Sequence, residues 1–424
     1  MTRHISSRRL FLKAAASTAG IVIVPAHVLG GIGKTPPSEQ LTKALIGTGG
    51  MGRGHIKGIN PTSRLLAICD TDTAHIDEAK KLAPPDVKVY EDFRELLDLK
   101  EVDIVHIATP PHWHALMAIA AANAGKDIWC EKPMTRTIGE GIKVREAVQR
   151  NGRIFRLNTW FRFQDGMYGM GVPCKPVKKA VANRLLGWPI RAVIGAHQGF
   201  DWKLNMWKGQ WNLKPQTPPP NLDYDMWLGP APYKPYHPHR VHQSFRGYWD
   251  YDGGGLGDMG QHYIDPTQYI LEKDETSPVE IVAETPPQHP DAVVPWTRIT
   301  LKYADGCEIV LDGDNSMVDV PYLQGPKGKI MQGLKSDIPN LAEIVNTLPD
   351  PEPMVTDFIQ AVKTRRKFAL NEQNGFRSCT IVNLSLAAVR LGRTLKFDPV
   401  KLQFVNDDEA NRLIFQPMRA PWHL

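Results

Sequence analysis

The stretch that most restricts what this chain can become is Lys43 to Gly54, Lys-Ala-Leu-Ile-Gly-Thr-Gly-Gly-Met-Gly-Arg-Gly. Ala44, Leu45 and Ile46 make a short apolar strand. The next six residues fit G-x-G-x-x-G through Gly47, Gly49 and Gly52. In that motif the first glycine permits a tight turn, the second lets backbone amides approach a pyrophosphate, and the third lets helix and strand pack closely. A second apolar run, Arg64 to Cys69, ends in Asp70, 23 positions after Gly47, where a ribose-binding carboxylate belongs. The expected cofactor is NAD, because Asp70 accepts ribose hydroxyls and repels the extra phosphate of NADP.

The 424 residues leave room for two or three domains. Net charge is +6 with no Lys/Arg block or basic stripe, which argues against a nucleic-acid partner. At the N-terminus, Ser7-Arg8-Arg9-Leu10-Phe11-Leu12-Lys13 precedes the small and apolar run Ala14 to Pro25. That run is too short and Ala-rich for a membrane span, and it resembles a twin-arginine export signal, read by the twin-arginine translocase and leading to the periplasm. Five cysteines are widely spaced, with no disulfide framework or Cys-based metal motif. Cys69 and Cys130 sit in apolar runs as small hydrophobes.

From Lys43 to about Arg153, apolar runs alternate with helical periods, a βαβ series that predicts a doubly wound parallel sheet. After Gly169 the chain is rich in Pro, Gly, Trp and Tyr. Strand runs then resume at 279–283, 297–303 and 308–311, the last two joined by the turn Ala304-Asp305-Gly306. The expected fold is α/β: an N-terminal Rossmann parallel sheet plus a C-terminal α+β domain on a largely antiparallel sheet. The expected divisions are 1–33 signal, 34–155 NAD-binding domain, 156–398 substrate domain and 399–424 C-terminal tail.

Three further segments carry chemistry. Ala108-Thr109-Pro110-Pro111-His112-Trp113-His114 is followed, after the next strand, by Glu131-Lys132-Pro133. Gly253-Gly254-Gly255-Leu256-Gly257-Asp258-Met259-Gly260-Gln261-His262 places an Asp and a His four apart on one helical face, suited to removing a hydroxyl proton. Pro235 to His242, with Arg246 and Trp249, mixes rings and polar groups as a sugar site does. A Trp-rich loop packed into its own core is the competing reading there. The three histidines lack a carboxylate and are interrupted by Pro238, so no metal is expected.

Taken in order, the glycine loop, Thr-Pro-Pro-x-x-His, Glu-Lys-Pro and the Asp-x-x-x-His helix resemble the Gfo/Idh/MocA oxidoreductases over roughly residues 40 to 420. The resemblance implies that Gly47, Gly49, Gly50, Met51, Gly52, Asp70, Thr109, Pro110, His114, Glu131 and Lys132 contact the dinucleotide. It implies Lys132, Asp258 and His262 as the catalytic group, with Lys132 as polariser, His262 as acid or base and Asp258 as its partner. Which of Lys132 and His262 takes the proton stays open. Arg162, His239, Arg240, Arg246 and Trp249 are the further substrate contacts expected, and Asn158 and Gln164 fall where the family's chain enters its second domain. Asn383 stands where many relatives carry a histidine, and it is left out of the site.

The activity expected is hydride transfer between a ring carbinol of a sugar or glycoside, carbon 3 being one candidate, and NAD. Similar enzymes with this export signal hydrolyse glycosides through oxidation, elimination, hydration and re-reduction, which is the alternative. A non-catalytic NAD-binding sensor is a third. Family habit implies a homo-oligomer.

Overall fold

The computed structural model describes residues 40–58, 63–159, 162–163, 174–196 and 199–424. The export-signal segment 1–33 and Gln164 lie outside the described residues. Six strands, β1 (Leu41–Ile46), β2 (Ser63–Cys69), β3 (Lys88–Tyr90), β4 (Ile104–Ile107), β5 (Asp127–Cys130) and β6 (Phe155–Leu157), form one sheet in the order β3-β2-β1-β4-β5-β6. β1–β4, β2–β3, β4–β5 and β5–β6 pair in parallel, as in Lys43 opposite Ile104 and Ile107 opposite Cys130. Parallel strands must be covered on both faces, and Ala44, Leu45, Ile104, Val105 and Ile128 are buried at 0–1% exposure accordingly.

The crossovers are α1 (Gly50–Lys57), α2 (Thr73–Lys80), α3 (Phe93–Leu97), α4 (His114–Asn123) and α5 (Ile138–Arg150). α5 starts on a capping box, with Thr137 and Glu140 each satisfying the other's backbone amide. The strand order reverses between β1 and β4, so the carboxyl ends of these two strands diverge into a crevice, the usual ligand position in such sheets.

The second half contains α6 (Cys174–Ala182), β7 (Arg191–Gly195), α7 (Tyr224–Leu228), α8 (Gly254–Ile270), β8 (Glu280–Glu284), β9 (Arg298–Lys302), β10 (Glu308–Asp312), β11 (Leu323–Gly325) and β12 (Gly328–Ile330). It continues through α9 (Leu341–Thr347), α10 (Phe358–Thr364), α11 (Glu372–Leu391), β13 (Leu395–Asp398), β14 (Gln403–Phe404) and α12 (Asp408–Asn411). Its eight-stranded sheet runs β12-β11-β7-β10-β9-β8-β13-β14, antiparallel except where β7 meets β10. Alternation is plain: Ile281, Ile299, Leu301, Ile309 and Leu311 are all 0% exposed on the inner face, while Lys302 pairs with Glu280 on the outer one. α8 packs between α11 and α6, and α11 reaches across to α5. A helix enclosed this way is buried around nearly its whole circumference, which is why its polar residues must find partners or face the cleft.

β6 carries the parallel sheet to Leu157, which pairs with Cys130. Within residues 399–424, β14 closes the edge of the second sheet, and the Trp422 ring lies edge-on to Trp113 at 4.8 Å. Apolar rings near the chain end are held by burial against the first domain. No described helix is long and apolar enough to cross a membrane.

Candidate active site

The crevice at the switch between β1 and β4 opens into a cleft of about 950 Å³, lined by both halves of the chain. At one end is the glycine turn. Gly47 has φ +90°, and a Cβ there would lie 2.6 Å from the Ala108 carbonyl carbon. A Cβ on Gly52 would lie 2.0 Å from the Gly47 oxygen, so only glycine lets α1 pack this close to β1. Gly49 and Gly50 face open space instead: among the described residues only His75 comes within 4 Å, at 3.9 Å from a Cβ on Gly49. α1 begins at Gly50 with no side-chain cap and no acidic residue in its first turn. Its first amides are therefore left for an anion, and the residues present fit a dinucleotide pyrophosphate.

Asp70 lies beside this turn. It accepts from the Thr48 amide at 2.6 Å, the Thr48 hydroxyl at 3.1 Å and the Asp72 amide at 3.0 Å. Burial alone would raise its pKa, but His75 and these amides outweigh that and hold the carboxyl below its ordinary value. Asp70 is thus a fixed anion where ribose hydroxyls would bind.

Gly47, Gly49, Gly50, Met51, Asp70, Thr109, Pro110, Glu131 and Lys132 all line the cleft. Two expected cofactor contacts do not. Gly52 serves packing alone, as its clearance shows. His114 is 0% exposed, with Nδ1 2.7 Å from the Pro133 oxygen and Nε2 2.9 Å from the Thr109 oxygen. It ties together the two loops that carry Thr109 and Lys132 rather than touching a ligand. The carboxylate of Glu131 is occupied by His55 at 2.5 Å and Asn158 at 2.6 Å, so it acts as a buried counter-charge. Burial opposes its ionisation, but His106 and His55 hold it well below the carboxylate range.

At the other end stands the α8 group. Asp258 Oδ1 accepts from Lys132 Nζ at 2.7 Å and pairs with Arg246 Nε at 2.8 Å, and Oδ2 accepts from Trp207 Nε1 at 2.8 Å. Lys132 also donates to the Asp258 main-chain oxygen at 2.6 Å. Burial would raise the Asp258 pKa, but Lys132 and Arg246 pull it far below the ordinary value. The Asp258 carboxylate is thus held by two cations and an indole. His262, one turn along, faces the same cleft, and burial and the Lys132 charge push its pKa down to about 3, leaving a neutral imidazole.

Arg246 joins the site as expected; four other expected substrate contacts do not. Arg162 is enclosed by Asp265 at 2.8 Å and by Asp274, with 1% side-chain exposure, so it is a structural cation. Arg240 pairs with Asp291 at 2.6 Å and lies over the Tyr248 ring. His239 bonds the Tyr248 hydroxyl at 2.7 Å, and the Trp249 indole donates to the His289 oxygen at 3.0 Å. Tyr224, Trp227, Tyr236, Tyr248 and Tyr251 form a core of their own, so the packed-loop reading holds for most of this segment.

The site also includes residues that spacing did not single out. Thr48 fixes Asp70, Trp207 fixes Asp258, and Lys203, Asp252 and His75 line the cleft. Trp207 lay within a segment marked only by its tryptophan content, and nothing local distinguishes it from Trp202, which is buried in the core.

The chain is similar to known proteins over both of its halves. Residues 41–159 match the oxidoreductase-family model for the NAD-binding Rossmann fold, and 170–424 match the model for that family's C-terminal alpha/beta domain. Among curated relatives, "Glycosyl hydrolase family 109 protein 1" of Shewanella sp. (strain ANA-3) is 33% identical over 247 residues, 50% of this chain and 52% of that protein. "Inositol 2-dehydrogenase" of Salmonella typhimurium is 31% identical over 130 residues, 30% of this chain and 39% of that protein. The chain thus spans about half or less of these relatives' length. Two solved structures share the fold. WlbA dehydrogenase from Bordetella pertussis, in complex with NADH and UDP-GlcNAcA, has TM-score 0.58 and 16% identity, covering 85% of this chain and 99% of that one. Aldose-aldose oxidoreductase from Caulobacter crescentus, complexed with glycerol, has TM-score 0.54 and 19% identity, covering 84% and 100%. With both of its halves matched, the longer match alone spanning more than half of the chain, this protein belongs to the Gfo/Idh/MocA oxidoreductase family and carries that family's NAD-binding Rossmann fold.

Proposed function

We propose that the protein is an NAD-dependent oxidoreductase that moves a hydride between a ring carbinol carbon of a sugar or glycoside, carbon 3 being one candidate, and the nicotinamide. The observation that carries this reading is the convergence of Lys132, Asp258, Arg246 and His262 on the cleft whose far end is the glycine turn. The names of the relatives, an inositol dehydrogenase and an aldose-aldose oxidoreductase, support carbohydrate-type substrates.

Bound NAD would supply the hydride acceptor. Lys132, held in an ion pair by Asp258, is arranged as a donor: its ammonium orients the substrate hydroxyl and stabilises negative charge developing on that oxygen. His262, a neutral imidazole, is then the group with a lone pair to accept the hydroxyl proton. Arg246 and Trp207 keep the Asp258 carboxylate from rotating, and so keep the ammonium in place.

A second reading is NAD-dependent glycoside hydrolysis without net redox, favoured by the match to the family 109 glycosyl hydrolase protein. The test is mass spectrometry of the natively purified protein for retained dinucleotide, then a sugar and glycoside panel read for both NADH and free aglycone. NADH with a keto sugar supports the first reading, and aglycone release without net NADH supports the second. No turnover of any kind would favour a non-catalytic sensor.

Export by the twin-arginine route to the periplasm is part of the proposal, on the strength of Arg8-Arg9 and the apolar run after it. Replacing both arginines with lysine should leave the protein in the cytosol. Self-association is the remaining expectation, checked by light scattering.

A further inference from the structure

The substrate end of the cleft holds two buried carboxyl groups but commits its cations to only one. Asp258 has Lys132, Arg246 and the Trp207 indole, all within 2.8 Å. Asp252 lines the same cleft and is 3% exposed. Its Oδ1 has no hydrogen-bond partner among the described residues, and its Oδ2 is 4.0 Å from Arg246 Nε, beyond hydrogen-bonding range.

A buried carboxylate without a bonded counter-charge costs several kcal/mol, and a second negative charge nearby adds to that cost. One proton relieves both. Partner counts decide where it sits: Asp258 is met by two hydrogen-bond donors and the Arg246 cation, and Asp252 by no bonded partner among the described residues.

The backbone builds this position deliberately. Asp252 enters α8 through Gly253 at φ +130° and Gly254 at φ +75°. Its Oδ1 is tucked against Gly257, where a Cβ would come within 2.4 Å of it. Oδ2 is therefore the oxygen on the Arg246 side. The charged groups facing the carboxyl are Asp258 on α8, Arg246 in the 3-10 segment His242–Gly247, Lys132 after β5 and Arg136 before α5. Burial and Asp258 push its pKa up, and the three cations only partly oppose them.

We propose, resting on the oxidoreductase reading of the cleft, that Asp252 is a substrate-binding residue that stands as a neutral carboxylic acid and donates its O–H to a sugar oxygen beside the reacting carbinol. The substrate class that follows is a sugar or glycoside bearing a hydroxyl or ether oxygen next to the carbon that is oxidised. A deoxy analogue at that neighbouring carbon leaves the donor unpaired and should bind at least ~10-fold more weakly.

The test uses the full-length protein and its Asp252→Asn variant, which keeps the shape and a donor but cannot titrate. Infrared difference spectra across neutral to alkaline pH should show a protonated-carboxyl band in the wild type that disappears on alkalinisation and is absent from the variant. With the sugar that turns over best in the panel, wild-type KM should rise through that same titration, while the variant's KM should stay flat with pH. A wild type without the band would overturn the proposal outright. A band whose loss leaves KM unmoved, or a variant that keeps the wild-type pH slope, would reduce Asp252 to a structural proton and overturn its role toward substrate. The infrared arm needs no turnover, so an inactive protein would refute the enzymatic reading separately from the protonation of Asp252.

Discussion

Replacement of Lys132 by Met is the sharpest test of how the cleft works. The substitution keeps most of the side-chain length and removes the ammonium, one of two hydrogen-bond donors on the Asp258 carboxylate and one of its two cations. Stripping a buried carboxylate of its sole partner costs about 3–5 kcal/mol. Arg246 and Trp207 remain here, so the cost should fall to about 2 kcal/mol, the scale of one charge-assisted hydrogen bond. In a chain of this size that lowers Tm by only a few degrees, and the protein stays folded at assay temperature. The chemical step should suffer far more, because a positioned proton-transfer or oxyanion-stabilising group is worth roughly 10²–10⁴ in rate. NAD affinity, set mainly by the glycine turn and Asp70, should change by less than about threefold, roughly 0.7 kcal/mol. The assay is single-turnover NADH formation on the dinucleotide-loaded protein with the best sugar of the panel, together with calorimetry and NAD titration. A kcat within tenfold of wild type, alongside the expected loss of Tm, would show that Lys132 is merely the buried partner of Asp258, and the catalytic reading would fail.

Other consequences are equally checkable. Asp70→Ser removes the anion facing the ribose and should lower the preference for NAD over NADP by tenfold or more, measured by isothermal titration; an unchanged ratio would remove Asp70 from the cofactor site. Arg162→Met should destabilise the protein by about 3–5 kcal/mol, since Asp265 is 0% exposed and loses its partner, yet leave KM unaltered in whatever folds. A selective rise in KM would restore Arg162 as a substrate contact. His112 and His262 are both pushed down to about 3 by burial, against ~6.5 for an exposed imidazole. The unfolded chain therefore binds protons first as pH falls, so their contribution is intact above about 6.5 and is lost progressively towards 3. Urea midpoints should drop over that window, and His112→Gln should drop less; parallel curves would refute the assignment.

Much of this molecule was legible without coordinates, and the legible part shares a physical character. Gly47, Gly49 and Gly52 lie within one turn, and their roles follow from clearances that local backbone geometry imposes. Asp258 and His262 sit one helical turn apart, so their common face follows from the helix alone. Alternating apolar runs specify the parallel sheet for the same reason: burial on both faces leaves a short-range signature.

What only the tertiary structure decided is which charge meets which. Asp258 is paired with Lys132, 126 positions away. Arg162, placed by the family resemblance at the entrance to the substrate domain, is claimed by Asp265, 103 positions later. His239, Arg240 and Trp249 turn away because Tyr248, Asp291 and the His289 carbonyl are nearer than the cleft. A buried ion takes whichever opposite charge the fold brings within about 3 Å, because desolvation makes any unpaired alternative costly by several kcal/mol. No periodicity along the chain records that choice.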